Sequence, residues 1–215
     1  MIKAVVFDVG ETLIDETRIW SRWADRLGVP RFALMGAIGG MAATGRPLTD
    51  AFELLRPGID LDAEQEAWAL AEPDSLRNNF DADDLYPDVV PALGELRSRG
   101  LQVIIAGNQP PQAKSALEKM ELPVDGIYTS AEWELEKPDP EFFAKVAEVA
   151  GVKFREICYV GDRVDNDVLP AAAAGMVPTL IRRGPWGYLH SELPQTSYGI
   201  VIDTLTQLPD VLAPR

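Results

Sequence analysis

This 215-residue chain contains one cysteine and one histidine. A single thiol, Cys158, permits no disulfide within the chain, and its place in the apolar run "EICYVG" marks it as a buried, inert sulfur. The sole histidine, His190, stands in "PWGYLHSELP", read as a late loop; no G-x-S-x-G accompanies it, which disfavours a serine–histidine hydrolytic centre. No apolar run approaches the roughly 18 residues of a membrane span, and the N-terminus enters an apolar strand without a charged-then-apolar leader. A soluble, cytoplasmic protein is the resulting expectation. Positive charge is also scarce. Twenty basic residues face 34 acidic ones, a net charge of −14, which disfavours binding to nucleic-acid backbones and anionic membranes.

What is present is a rhythm. Short apolar runs ("KAVVFD", "LQVIIAG", "DGIYTS", "EICYVGD", "VPTLIRRG", "YGIVI") alternate with segments whose apolar residues recur at spacings of three and four ("DVVPALGELRSRG", "PPQAKSALEKMEL", "DPEFFAKVAEVAGV", "DNDVLPAAAAGM"). Such alternation predicts an α/β fold, a doubly wound, mostly parallel sheet with helices on both faces. From about Asp15 to Asp84 the strands disappear and helical stretches take over, so residues 15–84 read as an inserted all-helical domain and residues 1–14 with 85–215 as the α/β core. Trp20, Trp23 and Trp68 fall within the insertion, where packing among themselves is the simpler reading than ligand stacking.

Ligands of open parallel sheets bind beyond the carboxyl ends of the strands. There the sequence places Asp8 after the first strand, Gly107 and Asn108 at the end of the second, and Gly161 with Asp162 at the end of the fourth, followed by Asp167; Lys137 opens "KPDP" just before a helix. Acids gathered at central strand ends repel one another and are costly to desolvate unless a cation joins them. Carboxylate oxygens with positions left for water and phosphate suit Mg²⁺, and a lysine opposite suits an anionic substrate.

The four segments "FDVGETL", "AGNQ", "KPDP" and "GDRVDNDV", in that order, resemble the motifs of the haloacid dehalogenase-like (HAD) superfamily, and the helical insertion after the first motif is similar to its type-1 cap. The resemblance implies an Mg²⁺-dependent phosphomonoester hydrolase acting on a small phosphorylated metabolite. Asp8 would be the nucleophile that forms an aspartyl-phosphate. Asp8, the Gly10 carbonyl and Asp162 would hold the ion, with Asp167 a direct or outer ligand. Lys137 would pair with Asp8 and the transferring phosphoryl group, and the Lys137–Pro138 bond is expected to be cis. The cap would close over the site, exclude water and select the substrate.

Two positions depart from the phosphatase pattern. The aspartate that handles protons two residues after the nucleophile is Gly10, and losing such a group forfeits about 10²–10⁴-fold in rate. Glu11 is a nominee to replace it, although a solvent-facing Glu11 is the simpler expectation. The hydroxyl at the second strand's end is replaced by Gly107, whose N–H, with Asn108 alongside, could still receive an oxyanion. Arg182 and Arg183 are expected as a solvated pair. Two alternatives remain open: a non-catalytic phosphate- or partner-binding protein of this fold, and a dehalogenase cleaving a carbon–halogen bond. A third relative, the phosphonate-cleaving enzymes, uses a cap lysine, and no lysine lies between Lys3 and Lys114.

Overall fold

A computed structural model describes residues 1–194 and 199–213. The chain divides into two compact units, Met1–Asp15 with Leu85–Arg215, and Glu16–Asp84.

The first unit is built on a six-stranded sheet in the order β3-β2-β1-β4-β5-β6, every neighbouring pair parallel. Its strands are β1 Ala4–Phe7, β2 Gln102–Gly107, β3 Gly126–Thr129, β4 Ile157–Gly161, β5 Val177–Ile181 and β6 Ile200–Ile202. Each strand predicted from the sequence is present, though Tyr198 of "YGIVI" lies outside the described residues. All four residues of β1 are buried, as a strand covered on both faces requires. Helices α5 (Val89–Ser98), α6 (Pro111–Lys119) and α8 (Pro140–Ala150) follow the expected periodicity, and the single turn α7 (Ser130–Trp133) lies between the last two. On one face, Phe142, Phe143 and Val146 of α8 pack on Val6, Ile104 and Tyr159, with an edge-to-face contact between Phe143 and Tyr159 at 5.3 Å. Cys158 is buried as predicted, its Sγ 3.2 Å from Thr179 Oγ1, and burial pushes the thiol up to about 12.

The segment "DNDVLPAAAAGM" differs from a plain helix. It begins as a π-helix over Val164–Val168 and becomes α-helical only over Leu169–Ala173. The widened turn coincides with an inward-facing Asp167, 1% exposed, whose Oδ2 accepts the Arg163 N–H at 2.9 Å. A further short helix, Gly184–His190, replaces the late loop expected around His190. Pro185 in its first turn supplies a pre-set φ where no N–H is needed.

The second unit is helical: α1 Thr17–Leu27, α2 Arg31–Thr44, α3 Thr49–Leu55 and α4 Leu61–Ala71. Helix α1 ends on Gly28 at φ 66°, a left-handed cap that glycine adopts without steric cost. Its centre is aromatic. Trp23, 4% exposed, meets Phe52 at 5.1 Å and Trp68 at 5.2 Å, both edge to face, so the tryptophans pack among themselves. The Arg18 guanidinium donates to Asp81 and to both oxygens of Asp84, tying the unit's last residues to its first helix. Among the described residues no single helix is long and apolar enough to cross a membrane.

Candidate active site

Parallel pairing brings the carboxyl ends of β1, β2 and β4 side by side, and with them Asp8, Gly107 and Asp162. The Asp8 N–H still donates to the Val160 carbonyl at 2.9 Å, which fixes the backbone of the first acid against β4. Lys137 arrives from the connection between β3 and α8. Its backbone is gripped by one side chain: the Lys137 N–H donates to Asn108 Oδ1 at 2.8 Å, and Asn108 Nδ2 donates to the Lys137 carbonyl at 2.9 Å. Asn108, expected to face an oxyanion, therefore has its carboxamide engaged at both ends in holding the lysine. The Lys137–Pro138 peptide is cis.

So held, Lys137 is 4% exposed and its Nζ lies 2.7 Å from Asp8 Oδ1, 2.6 Å from Asp167 Oδ1 and 5.6 Å from the centre of the Tyr159 ring. Burial pulls the ammonium down, but the Asp167 and Asp8 carboxylates outweigh it and hold Lys137 well above the ordinary lysine range. Burial pushes Asp167 up to about 6, the Asp8 charge adding to it and Lys137 opposing. The 2.6 Å contact between Lys137 Nζ and Asp167 Oδ1 is the length of a charge-assisted pair. The Tyr159 hydroxyl, buried and raised chiefly by that burial, donates to the Ala106 carbonyl at 2.7 Å and stays a neutral wall of the site.

Asp8, Asp162 and Asp167 each offer a carboxylate oxygen within 4.8 Å of the others, and all three residues are buried. Three carboxylates against one ammonium leave two negative charges in a poorly hydrated spot, which a divalent cation with a preference for oxygen would balance. The Gly10 carbonyl accepts no hydrogen bond among the described residues, whereas the Val9 carbonyl beside it accepts three. This donor set fits Mg²⁺. Asp167 already accepts from Lys137 and from the Arg163 N–H on its two oxygens, so it suits orientation of the lysine and the outer shell better than direct ligation.

Two glycines border the cluster. A Cβ on Gly107 would overlap Asp8 Oδ1, and one on Gly161 would overlap Asp167 Cγ and Oδ2. The missing hydroxyl at 107 thus coincides with a carboxylate turned toward β2 and Lys137.

Three expectations are corrected. Glu11 does not face solvent: it is 7% exposed, sits at φ 48°, and its Oε2 accepts the Tyr86 hydroxyl at 2.6 Å. The arginine pair is split. Arg182 remains partly exposed against Asp203, whereas Arg183 is 8% exposed, with Nη2 2.5 Å from the Asp88 carboxylate and Nη1 2.6 Å from the Thr12 carbonyl. His190 ends a helix, its Nδ1 accepting the Val164 N–H at 3.0 Å, and burial lowers it, so it is a neutral structural acceptor. Tyr86, Asp88 and Tyr159 were not foreseen. Only the acid of "YPDVV", at a helix start, carried a local signal.

A profile of the haloacid dehalogenase-like hydrolases matches residues 2–175. The glyceraldehyde 3-phosphate phosphatase of Methanopyrus kandleri is 30% identical over 99% of this chain and 97% of its own. Phosphoglycolate phosphatase 1 of Pseudomonas aeruginosa is 26% identical over 96% of this chain and 78% of its own. Among solved structures, a predicted phosphoglycolate phosphatase from Haemophilus somnus superposes with a TM-score of 0.70 at 16% identity, covering 99% of this chain and 98% of that one. The L-2-haloacid dehalogenase of Xanthobacter autotrophicus reaches 0.64 at 22% identity, covering 99% and 98%. At these identities the two superpositions speak for the fold alone.

Proposed function

This chain belongs to the haloacid dehalogenase-like hydrolases, and on that premise we propose that it is an Mg²⁺-dependent phosphatase of short phosphorylated metabolites, the class for which its relatives are named. The observation that carries the reading is the buried Lys137 ammonium between Asp8 and Asp167, with Asp162 completing the acidic cluster. A scaffold has no need of such an arrangement, since replacing buried ion pairs by apolar residues is often neutral or stabilising.

In this reading an Asp8 carboxylate oxygen attacks phosphorus in line, the bond from phosphorus to the ester oxygen breaks, and the leaving oxygen departs with the electron pair. Water then attacks phosphorus and releases Asp8 and inorganic phosphate. Lys137 stabilises the charge on the transferring group and holds the Asp8 carboxylate in place through its 2.7 Å contact. Asp162, Asp8 and the Gly10 carbonyl would hold the ion, which when bound neutralises a phosphoryl oxygen and fixes its orientation. The step without an evident agent is protonation of the leaving oxygen. Gly10 has no side chain to supply it, a deficit of about 3–5 kcal/mol in barrier.

A steep dependence on the leaving group follows. p-Nitrophenyl phosphate and acyl phosphates should turn over with Mg²⁺, an alkyl phosphate should lag by about 10²-fold or more, and Asp8→Asn should abolish both activities. Equal rates on aryl and alkyl esters would refute the missing-acid argument. Mg²⁺-dependent phosphate binding without turnover on any ester would favour a binding protein, and halide release from a 2-haloacid would favour dehalogenation.

A further inference from the structure

The loop that follows Asp8 contains a contradiction. Gly10 is the most mobile residue type, yet in the reading above its carbonyl must sit at a fixed point beside an ion. Glu11, the next residue, holds a left-handed φ of 48°, a region that favours glycine and is sterically costly for a long side chain. Its carboxylate is also buried, a second cost unless it is bonded. A solvated glycine at position 11 would meet the backbone requirement more easily, so the side chain must contribute something else.

Its surroundings show what. The Tyr86 hydroxyl donates to Glu11 Oε2 at 2.6 Å. Gly184, itself at φ 56°, leaves room for the acid: a Cβ there would overlap Glu11 Cγ and crowd its carboxylate. Arg183 lies with its guanidinium carbon 4.1 Å from the centre of the Tyr86 ring and donates to the carbonyl of Thr12, the residue after Glu11. Within the loop the Glu11 N–H donates to the Ile14 carbonyl at 2.8 Å, and Thr12, Leu13 and Ile14 all donate to Val9. The N–H groups from Glu11 to Ile14 and the Val9 and Thr12 carbonyls are thus tied, while the Gly10 carbonyl is left without a hydrogen bond among the described residues.

We propose that Glu11 is a positioning residue: clamped by Tyr86 and seated against Gly184, it fixes the loop after Asp8 so that the Gly10 carbonyl is presented to a divalent cation. The inference rests on the metal-dependent reading above. It assigns Glu11 a role other than the missing proton donor, because its carboxylate is enclosed by Tyr86 and Gly184.

The test uses the full chain, with Mg²⁺ binding measured by calorimetry, kcat and KM on p-nitrophenyl phosphate measured across Mg²⁺ concentrations, and unfolding midpoints measured in EDTA. Glu11→Gly and Tyr86→Phe should each raise the Mg²⁺ dissociation constant by about tenfold and lower kcat/KM by about 10–100-fold at low Mg²⁺, the loss shrinking as the ion is raised. Glu11→Gln, which keeps an oxygen for Tyr86, should restore most of the affinity lost in Glu11→Gly. Should Glu11→Gly fail to fold, Tyr86→Phe and Glu11→Gln decide the matter. Folded variants that bind Mg²⁺ as the wild type does, or that change only the unfolding midpoint, overturn the clamp alone. A wild type that binds no Mg²⁺ overturns both the clamp and the functional reading beneath it.

Discussion

Replacing Lys137 by methionine keeps most of the side-chain volume and removes one buried charge. At 2.7 and 2.6 Å, and with an effective dielectric constant of about 20, each contact of its Nζ with Asp8 and Asp167 carries about 6 kcal/mol of gross attraction. Desolvation of the ammonium offsets much of this, so the net loss should be about 3–5 kcal/mol, as when one partner of a buried pair is removed. The remaining acids then face one another with oxygens within 4.8 Å, a repulsion of about 3 kcal/mol on the same scale. For a chain of this length the melting temperature should fall by roughly 10 °C. Calorimetric melting in EDTA and in millimolar Mg²⁺ reads the effect. The ion should recover a larger share of stability in the variant than in the wild type, because it supplies the positive charge the lysine no longer does. Asp167, which burial already pushes up to about 6, loses in the variant the cation that opposes that shift, so its folded pKa rises further above the unfolded value. The native state then holds more protons than the unfolded chain, and the variant gains stability as pH falls. A Lys137→Met protein that melts with the wild type and ignores Mg²⁺ would show that the three acids do not form one electrostatic site.

Two further outcomes follow from the same geometry. Gly161→Ala places a methyl group against Asp167 Cβ and Cγ, the stem of a buried side chain, so it should cost about 1–3 kcal/mol in chemical denaturation and depress turnover by dislodging Asp167 from Lys137; full activity at wild-type stability would contradict the close packing. Asp88 tests the arginine that the sequence placed in solvent. Burial pushes its carboxyl up, but Arg183, the Thr204 hydroxyl and the Leu205 N–H outweigh burial and hold it below the usual range. Its stabilising contribution is present above the unfolded value of about 3.9 and is lost as pH falls through the lower folded one. Asp88→Asn should therefore melt below the wild type at neutral pH, with the gap closing below about pH 4; a gap independent of pH would assign the effect to packing.

The strands, the helices of the core and the acids at the strand ends were legible in the sequence because each is written in local terms. A doubly covered strand needs consecutive apolar residues, a helix needs them at three and four, and a chain turning at a strand end shows its polar residue there. Asp8, Lys137, Asp162 and Asp167 could be named in this way. That Lys137 stands between Asp8 and Asp167 could not. It depends on the sheet order, with β1 between β2 and β4, and on Asn108 gripping the lysine's backbone 29 residues away. The fate of Glu11 was less legible still. Its partner Tyr86 is 75 residues distant, and Arg183 meets Asp88 across 95. Periodicity identifies which side chains point inward from their own element, but which buried acid meets which donor is decided only when strand order and loop geometry bring distant segments together, because a polar group's burial is tolerable only beside a partner.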